Sequence, residues 1–133
     1  MSPFIPGKVY RRVQDIHQHF GGQRQGGIST PSSHPYIFLF TGESGSSYGY
    51  KDDFRLDGTF WYTGEGQVGD MKMDRGNSAI KNHRVESKSL VLFEYVTTGR
   101  VRCLGEATYL GYHIEERPDQ MGILARHLFL SLM

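Results

Sequence analysis

Tyr50 and Tyr62 stand twelve positions apart, separated by KDDFRLDGTFW, with the adjacent carboxylates Asp52 and Asp53 close behind the first ring. Between them, Asp57 and Gly58 are a favoured turn pair, so the flanking residues should run antiparallel and bring the rings together across a hairpin. Two facing phenols make a slot for a planar heterocycle. Stacking of a base on an aromatic ring is worth about 1–3 kcal/mol and tolerates any base, because every base has a π-face. Identity then has to be read at the base edge. Asp53 suits that task, since an ionised carboxylate accepts hydrogen bonds and the exocyclic amino group of cytosine donates one. Gly49, Gly64 and Gly66 would let backbone groups approach a ligand where a side chain would stand in the way. The same residues also fit an ordinary sheet, with Tyr and Trp as cross-strand or core partners and the Asp pair solvated. Local composition leaves both readings open.

Other chemistry finds less support. His17 and His19 form an i, i+2 pair, which does not share a helix face, and His34, His83, His113 and His127 are scattered. A helical zinc pair would stand at i, i+4 with a Cys or carboxylate at ligand spacing. KNH around His83 lacks the paired histidines of a metal-dependent nuclease centre. The chain therefore reads as a recognition domain and not an enzyme, with no catalytic residue, no metal ligand and no cofactor. The single cysteine, Cys103, excludes a disulfide framework and reads as a buried thiol, which makes a reducing, cytoplasmic compartment the natural home.

A chain of 133 residues with 38% hydrophobic and 22% charged residues is enough for one domain with its own core. No apolar run approaches the length of a membrane span, and no signal segment opens the chain. The net charge of +1 does not announce a nucleic-acid binder, yet Lys8, Arg11, Arg12 and Arg24 meet a single carboxylate, Asp15, in the first quarter of the chain.

The elements that must position these residues follow from pattern. Val13, Ile16 and Phe20 at helical spacing predict an amphipathic helix over 10–20, with Arg11, Arg12, Gln14 and Gln18 outward and Gly21–Gly22 as its stop. Residues 21–35 read as a long polar loop. YIFLFT reads as a fully buried strand, GTFWYTG as a second strand, and GNSAIKNH as a second short helix. The later segments SLVLFEYV, RVRCLGEATYLGYHIEE and ILARHLFLSLM read as strands divided by Thr-Gly and Pro-Asp turns. Two short helices and about six short strands predict a mixed α/β domain with a curved, barrel-like sheet. The apolar end HLFLSLM reads as a domain taken from a longer chain.

GYKDDFRLDGTFWYTGEGQ resembles the YDG signature of the SRA (SET- and RING-associated) domain, with the same distance between tyrosines. The likeness continues upstream in PGKVYRRVQDIHQHFGGQRQGGIS and downstream in GNSAIKNH, covering about residues 5 to 95. It is most similar to bacterial versions fused to HNH nucleases, the modification-dependent (type IV) restriction endonucleases. The resemblance implies a PUA-like SRA barrel occupying residues 1–133. It also implies binding of double-stranded DNA by rotating a 5-modified cytosine (5-methylcytosine, or 5-hydroxymethylcytosine) into a pocket, with an attached nuclease domain in the parent chain.

Carried over by position, Tyr50 and Tyr62 would sandwich the base, Asp53 would receive the amino proton, and Thr63 with the backbone near Ser47 and Gly49 would complete the edge contacts. Extrusion costs a few kcal/mol, which the slot returns in comparable measure. The evacuated position needs filling, and Gln23, Arg24 and Gln25 sit on the long loop that would do so, with Arg24 also suited to guanine or phosphate. Lys8, Arg11 and Arg12 are phosphate candidates, and Lys72, Arg75 and Lys81 weaker ones. Lys51 departs from the acidic residue of the pattern, and QVGDMKMDRGN is too short to carry over a CpG-reading loop. The competing reading is a PUA-like module that binds RNA or phosphorothioate-modified DNA.

Overall fold

YIFLFT offers no polar position to water, so it must lie inside a sheet covered on both faces. In the computed structural model, which describes residues 3–42, 53–64, 70–118 and 121–133, it does. Asp53, Pro118, Ala125, His127 and Leu128 are described through their backbone. The chain divides into two units, Met1–Thr41 with Asn82–Ala107, and Gly42–Lys81 with Thr108–Met133.

The first unit holds a five-stranded sheet in the order β1-β7-β6-β3-β2. Its strands are β1 (Val9–Arg11), β2 (Ile28–Ser29), β3 (Tyr36–Thr41), β6 (Ser89–Thr97) and β7 (Arg100–Ala107). β3 and β6 run parallel, Tyr36 opposite Ser89 through Thr41 opposite Glu94. Both read as apolar runs because parallel strands are buried on both faces. β6 and β7 form a hairpin around Gly99, which sits at φ +77°. Phe4, Ile16, Phe38, Phe40, Val91, Phe93, Val101 and Cys103 make up the core. Phe93 stacks on Phe40 (5.4 Å between centroids) and meets Phe4 edge-on (5.2 Å), geometries that suit the ring quadrupoles. Burial pushes the Cys103 thiol pKa up, which keeps the sulfur protonated and inert.

The second unit holds a four-stranded sheet in the order β4-β5-β9-β8. It comprises β4 (Asp53–Phe54), β5 (Phe60–Thr63), β8 (Tyr109–Pro118) and β9 (Leu124–Leu132), with the helix α2 (Arg75–Lys81) between β5 and β6 in the chain. β8 and β9 pair antiparallel from Tyr109 opposite Leu132 to Pro118 opposite Leu124.

The predicted helix over 10–20 is replaced by three elements. Tyr10 and Arg11 belong to β1, a π-helical turn spans Arg12–His17, and α1 (Gln18–Phe20) follows and ends at Gly21 with φ +81°. The wider π turn brings residues five apart onto one side, so Arg12 and His17 go inside with Ile16. A 3.6-residue period had put Arg12 outside. The loop over 21–35 also contains β2, because Ile28 and Ser29 find unpaired backbone on Leu39 and Phe38.

Candidate functional site

The Asp57–Gly58 turn closes the β4–β5 hairpin as its composition requires. Gly58 lies at φ +89° and donates from its N–H to the Arg55 carbonyl (3.1 Å), while Arg55 N–H reaches the Thr59 carbonyl (2.8 Å). Asp57 Oδ1 accepts from Thr59 N–H (3.0 Å) and from Thr59 Oγ1 (2.6 Å). These bonds favour the ionised carboxylate and hold the Asp57 pKa below its ordinary value. The register puts Asp53 opposite Trp61 and Phe54 opposite Phe60.

β5 then pairs with β9, Tyr62 opposite Leu130 and Thr63 opposite Phe129. Tyr62 is 2% exposed, so its ring is covered. Thr63 is also buried. Ser47, Gly49 and Tyr50 lie outside the described residues, and Asp53 is placed by its backbone alone. Trp61 takes the alternate side of the strand, between the Arg55 guanidinium over its ring (4.2 Å) and the stacked imidazole of His113 (4.2 Å, 20° between planes). Phe54, Arg55, Leu56 and Asp57 line a shallow depression of about 520 Å³ at the hairpin tip.

One contact explains two motif residues together. A Cβ built on Gly64 would meet Asn77 Oδ1 at 2.9 Å and Asn77 Cγ at 3.2 Å. Asn77 of α2 is fully buried and donates from Nδ2 to the Lys72 carbonyl (2.9 Å). The helix residue therefore packs directly on the glycine of the YTG end of β5, and only glycine leaves room. Sequence reasoning found the helix and the glycine but not that they touch.

In the first unit, the residues proposed for phosphate and loop contacts separate into two groups. Arg12 corrects the reading of it as a phosphate ligand, because it is 3% exposed and spends its guanidinium inside the protein. Its Nη1 donates to the Gly26 carbonyl (2.9 Å) and to Tyr95 Oη, and its Nη2 donates to the Gln23 carbonyl (3.2 Å). Its Nε donates to His17 Nε2 (3.0 Å), and the guanidinium lies 3.7 Å from the Phe40 ring centroid. A His17 nitrogen that accepts from Arg12 must be unprotonated, which leaves Nδ1–H to donate to the Gly21 carbonyl (2.9 Å). Burial, with the Arg12 and Arg24 charges, holds the His17 pKa below its ordinary value against the opposing pull of the Gly21 carbonyl.

Gln23 is exposed, its Oε1 accepting from Thr30 N–H (2.7 Å) and its Nε2 donating to Thr30 Oγ1 (3.1 Å). Arg11 is paired with Asp15 at 2.9 Å, which brings the Asp15 carboxyl down to about 2. Lys8, Arg24 and Gln25 are exposed. His83 is buried and its Nδ1 bonds the Lys88 carbonyl (2.8 Å), a structural role. Among the described residues no group of three or more His, Cys, Asp or Glu side chains is placed to hold a metal ion. No helix among them is long and apolar enough to cross a membrane.

The family profile described as "ScoMcrA-like, SRA domain" matches residues 6–130. No curated protein sequence matches the chain. Among solved structures, the sulfur-binding and SRA domains of ScoMcrA complexed with phosphorothioated DNA superpose with a TM-score of 0.74 at 20% identity, covering 99% of this chain and 40% of that one. MspJI restriction endonuclease with a 27-mer oligonucleotide gives 0.71 at 18% identity, covering 96% and 41%. The SUVH5 SRA domain with fully methylated CG DNA gives 0.69 at 16% identity, covering 98% and 88%. The chain thus spans under half the length of the first of these structures, and these likenesses show a shared fold, the PUA-like SRA architecture.

Proposed function

Because the chain belongs to the ScoMcrA-like SRA-domain family, we propose that it is a recognition module for double-stranded DNA carrying a chemical modification. The observation that supports this best is the hairpin bearing Asp53, Tyr62 and Thr63, closed at Asp57–Gly58 and held at Gly64 by Asn77. The finer reading is that a 5-modified cytosine leaves the duplex and stacks between Tyr50 and Tyr62. Asp53 accepts its amino proton, and Thr63 with the backbone at Ser47 and Gly49 completes the edge. Since Tyr62 is covered, entry of the base has to open the packing over that ring. Arg24 and Gln25 are the side chains that would fill the vacated position, and Lys8 the one that would contact phosphate. On this reading residues 1–133 are one recognition domain of a longer modification-dependent endonuclease, and cleavage belongs to another domain of that protein.

A second reading has a specific motive. The ScoMcrA structure of similar fold is bound to phosphorothioated DNA, so a sulfur-substituted backbone is the alternative mark. Gel shifts with duplexes differing in one cytosine's 5-substituent, or in one phosphorothioate linkage, at two salt concentrations test both. General electrostatic binding weakens with salt, whereas pocket selectivity persists. The expected result is tighter binding of the 5-modified duplex, a preference that Asp53→Ala removes while weak binding to any duplex remains. Equal binding of modified and plain cytosine by the unaltered chain sinks the flipped-base reading, and selective binding of the phosphorothioate duplex replaces it.

A further inference from the structure

The Arg12 cluster is costly to build and has no role in a hydrophobic core. A guanidinium loses several kcal/mol of hydration on burial, and among the described residues this one meets neutral acceptors and the face of Phe40. Two of those acceptors are the carbonyls of Gln23 and Gly26, which bracket Arg24 and Gln25. Further ties pin the same loop. Gly22 packs so tightly that a Cβ there would lie 2.3 Å from Ser29 Oγ, Gln23 grips Thr30, and the Gly27 carbonyl accepts from Phe40 N–H (2.7 Å). Residues 21–27 are all exposed, so these ties hold the loop's backbone while its side chains stay in solvent.

We propose that Arg12, His17 and Tyr95 form a buried latch that shapes the Gln23–Gly26 loop and so sets how firmly Arg24 and Gln25 engage a duplex. The engagement rests on the DNA-binding reading above. Arg12 is then a positioning residue, and its charge, with no carboxylate partner among the described residues, adds to the positive field at the loop. The latch also carries its own release. The groups that face His17 are Arg12 in the same turn, Arg24 on the loop, the Gly21 carbonyl and the Phe40 ring of β3. A proton on His17 Nε2 would point at the Arg12 Nε–H across 3.0 Å, donor against donor and cation against cation. Acid therefore breaks the Arg12–His17 bond and repels the guanidinium, which weakens its hold on the loop carbonyls.

Amide hydrogen exchange of the whole chain, corrected for intrinsic rates, reads the latch directly, and duplex affinity reads its consequence. Arg12→Lys keeps the charge but cannot span four acceptors. It should raise exchange at residues 21–30 about tenfold and weaken duplex binding severalfold, with the modified-to-plain ratio unchanged. In the unaltered chain both effects should appear as the pH is lowered from 7.5 until His17 is protonated, below its ordinary value, and His17→Gln should flatten that pH response. Arg24→Ala should weaken binding without altering loop exchange. Wild-type protection of the loop in Arg12→Lys, or an undiminished pH response in His17→Gln, overturns the latch. If the unaltered chain binds no modified duplex, the DNA reading fails, while the exchange data still decide whether the latch exists.

Discussion

Two turns carry the candidate contacts, and they are held in opposite ways. The β4–β5 hairpin is closed by its own sequence, with Asp57 bonding Thr59 two residues on. The loop over 21–27 is tied by Arg12 before it, which is itself held by Tyr95 well after it. Both use glycines at φ near +85°, Gly58 in the hairpin and Gly22 in the loop. The surroundings differ, since Gly58 faces open space and Gly22 lies against Ser29. A local turn tolerates change around it, whereas a turn built by distant partners fails when any of them is removed.

The largest effect expected from this contrast is at Phe40, which lies 4% exposed beneath the Arg12 guanidinium. Phe40→Ala should cost about 3–5 kcal/mol in urea denaturation, as large aromatic deletions in cores do, and should loosen the loop but not the hairpin. Next comes the glycine pair. Gly58→Ala should cost about 1–2 kcal/mol, the strain of a side chain at positive φ, and Gly22→Ala distinctly more because it also collides with Ser29. Equal costs would mean that the loop is no more tightly built than the hairpin.

Smaller effects come from pH. His17 has a depressed pKa in the folded state, so the unfolded chain binds more protons just below pH 6.5, and stability falls as pH drops through that point. Asp15 is also depressed, to about 2, but its contribution is lost only between about pH 4 and 2. It is a surface pair with Arg11, so salt should screen it. Thermal melts over pH 7.5 to 2 should show the first step vanish in His17→Gln and the second shrink in Asp15→Asn. The smallest change belongs to Asp57→Ala, an exposed turn residue whose loss should lower the melting temperature slightly and leave loop exchange untouched. A large drop there would show that the hairpin depends on its turn more than its pairing with β9 implies.

The contrast also explains what was legible in advance. YIFLFT, the Asp57–Gly58 turn and GNSAIKNH each encode their structure within a few residues, and each forms as read. The paired tyrosines and Asp53 are proposed as the site on their spacing and their likeness to the YDG signature alone. Arg12 misled, because an arginine in a polar stretch normally faces water and nothing within its own segment marks the carbonyls it will find. Trp61, held between Arg55 and His113, and Asn77, packed on Gly64, were visible as residue types but not as partners.

What the sequence by itself determined about this protein is the kind of most elements, though not of residues 10–20 or β2, together with the hairpin and the family, because short-range hydrogen bonding and side-chain periodicity act over a few residues. Only the tertiary structure decided which polar groups turn inward. Burying a cation depends on acceptors assembled from Gly26, Gln23, His17 and Tyr95 at once, and that assembly exists only when the chain has folded.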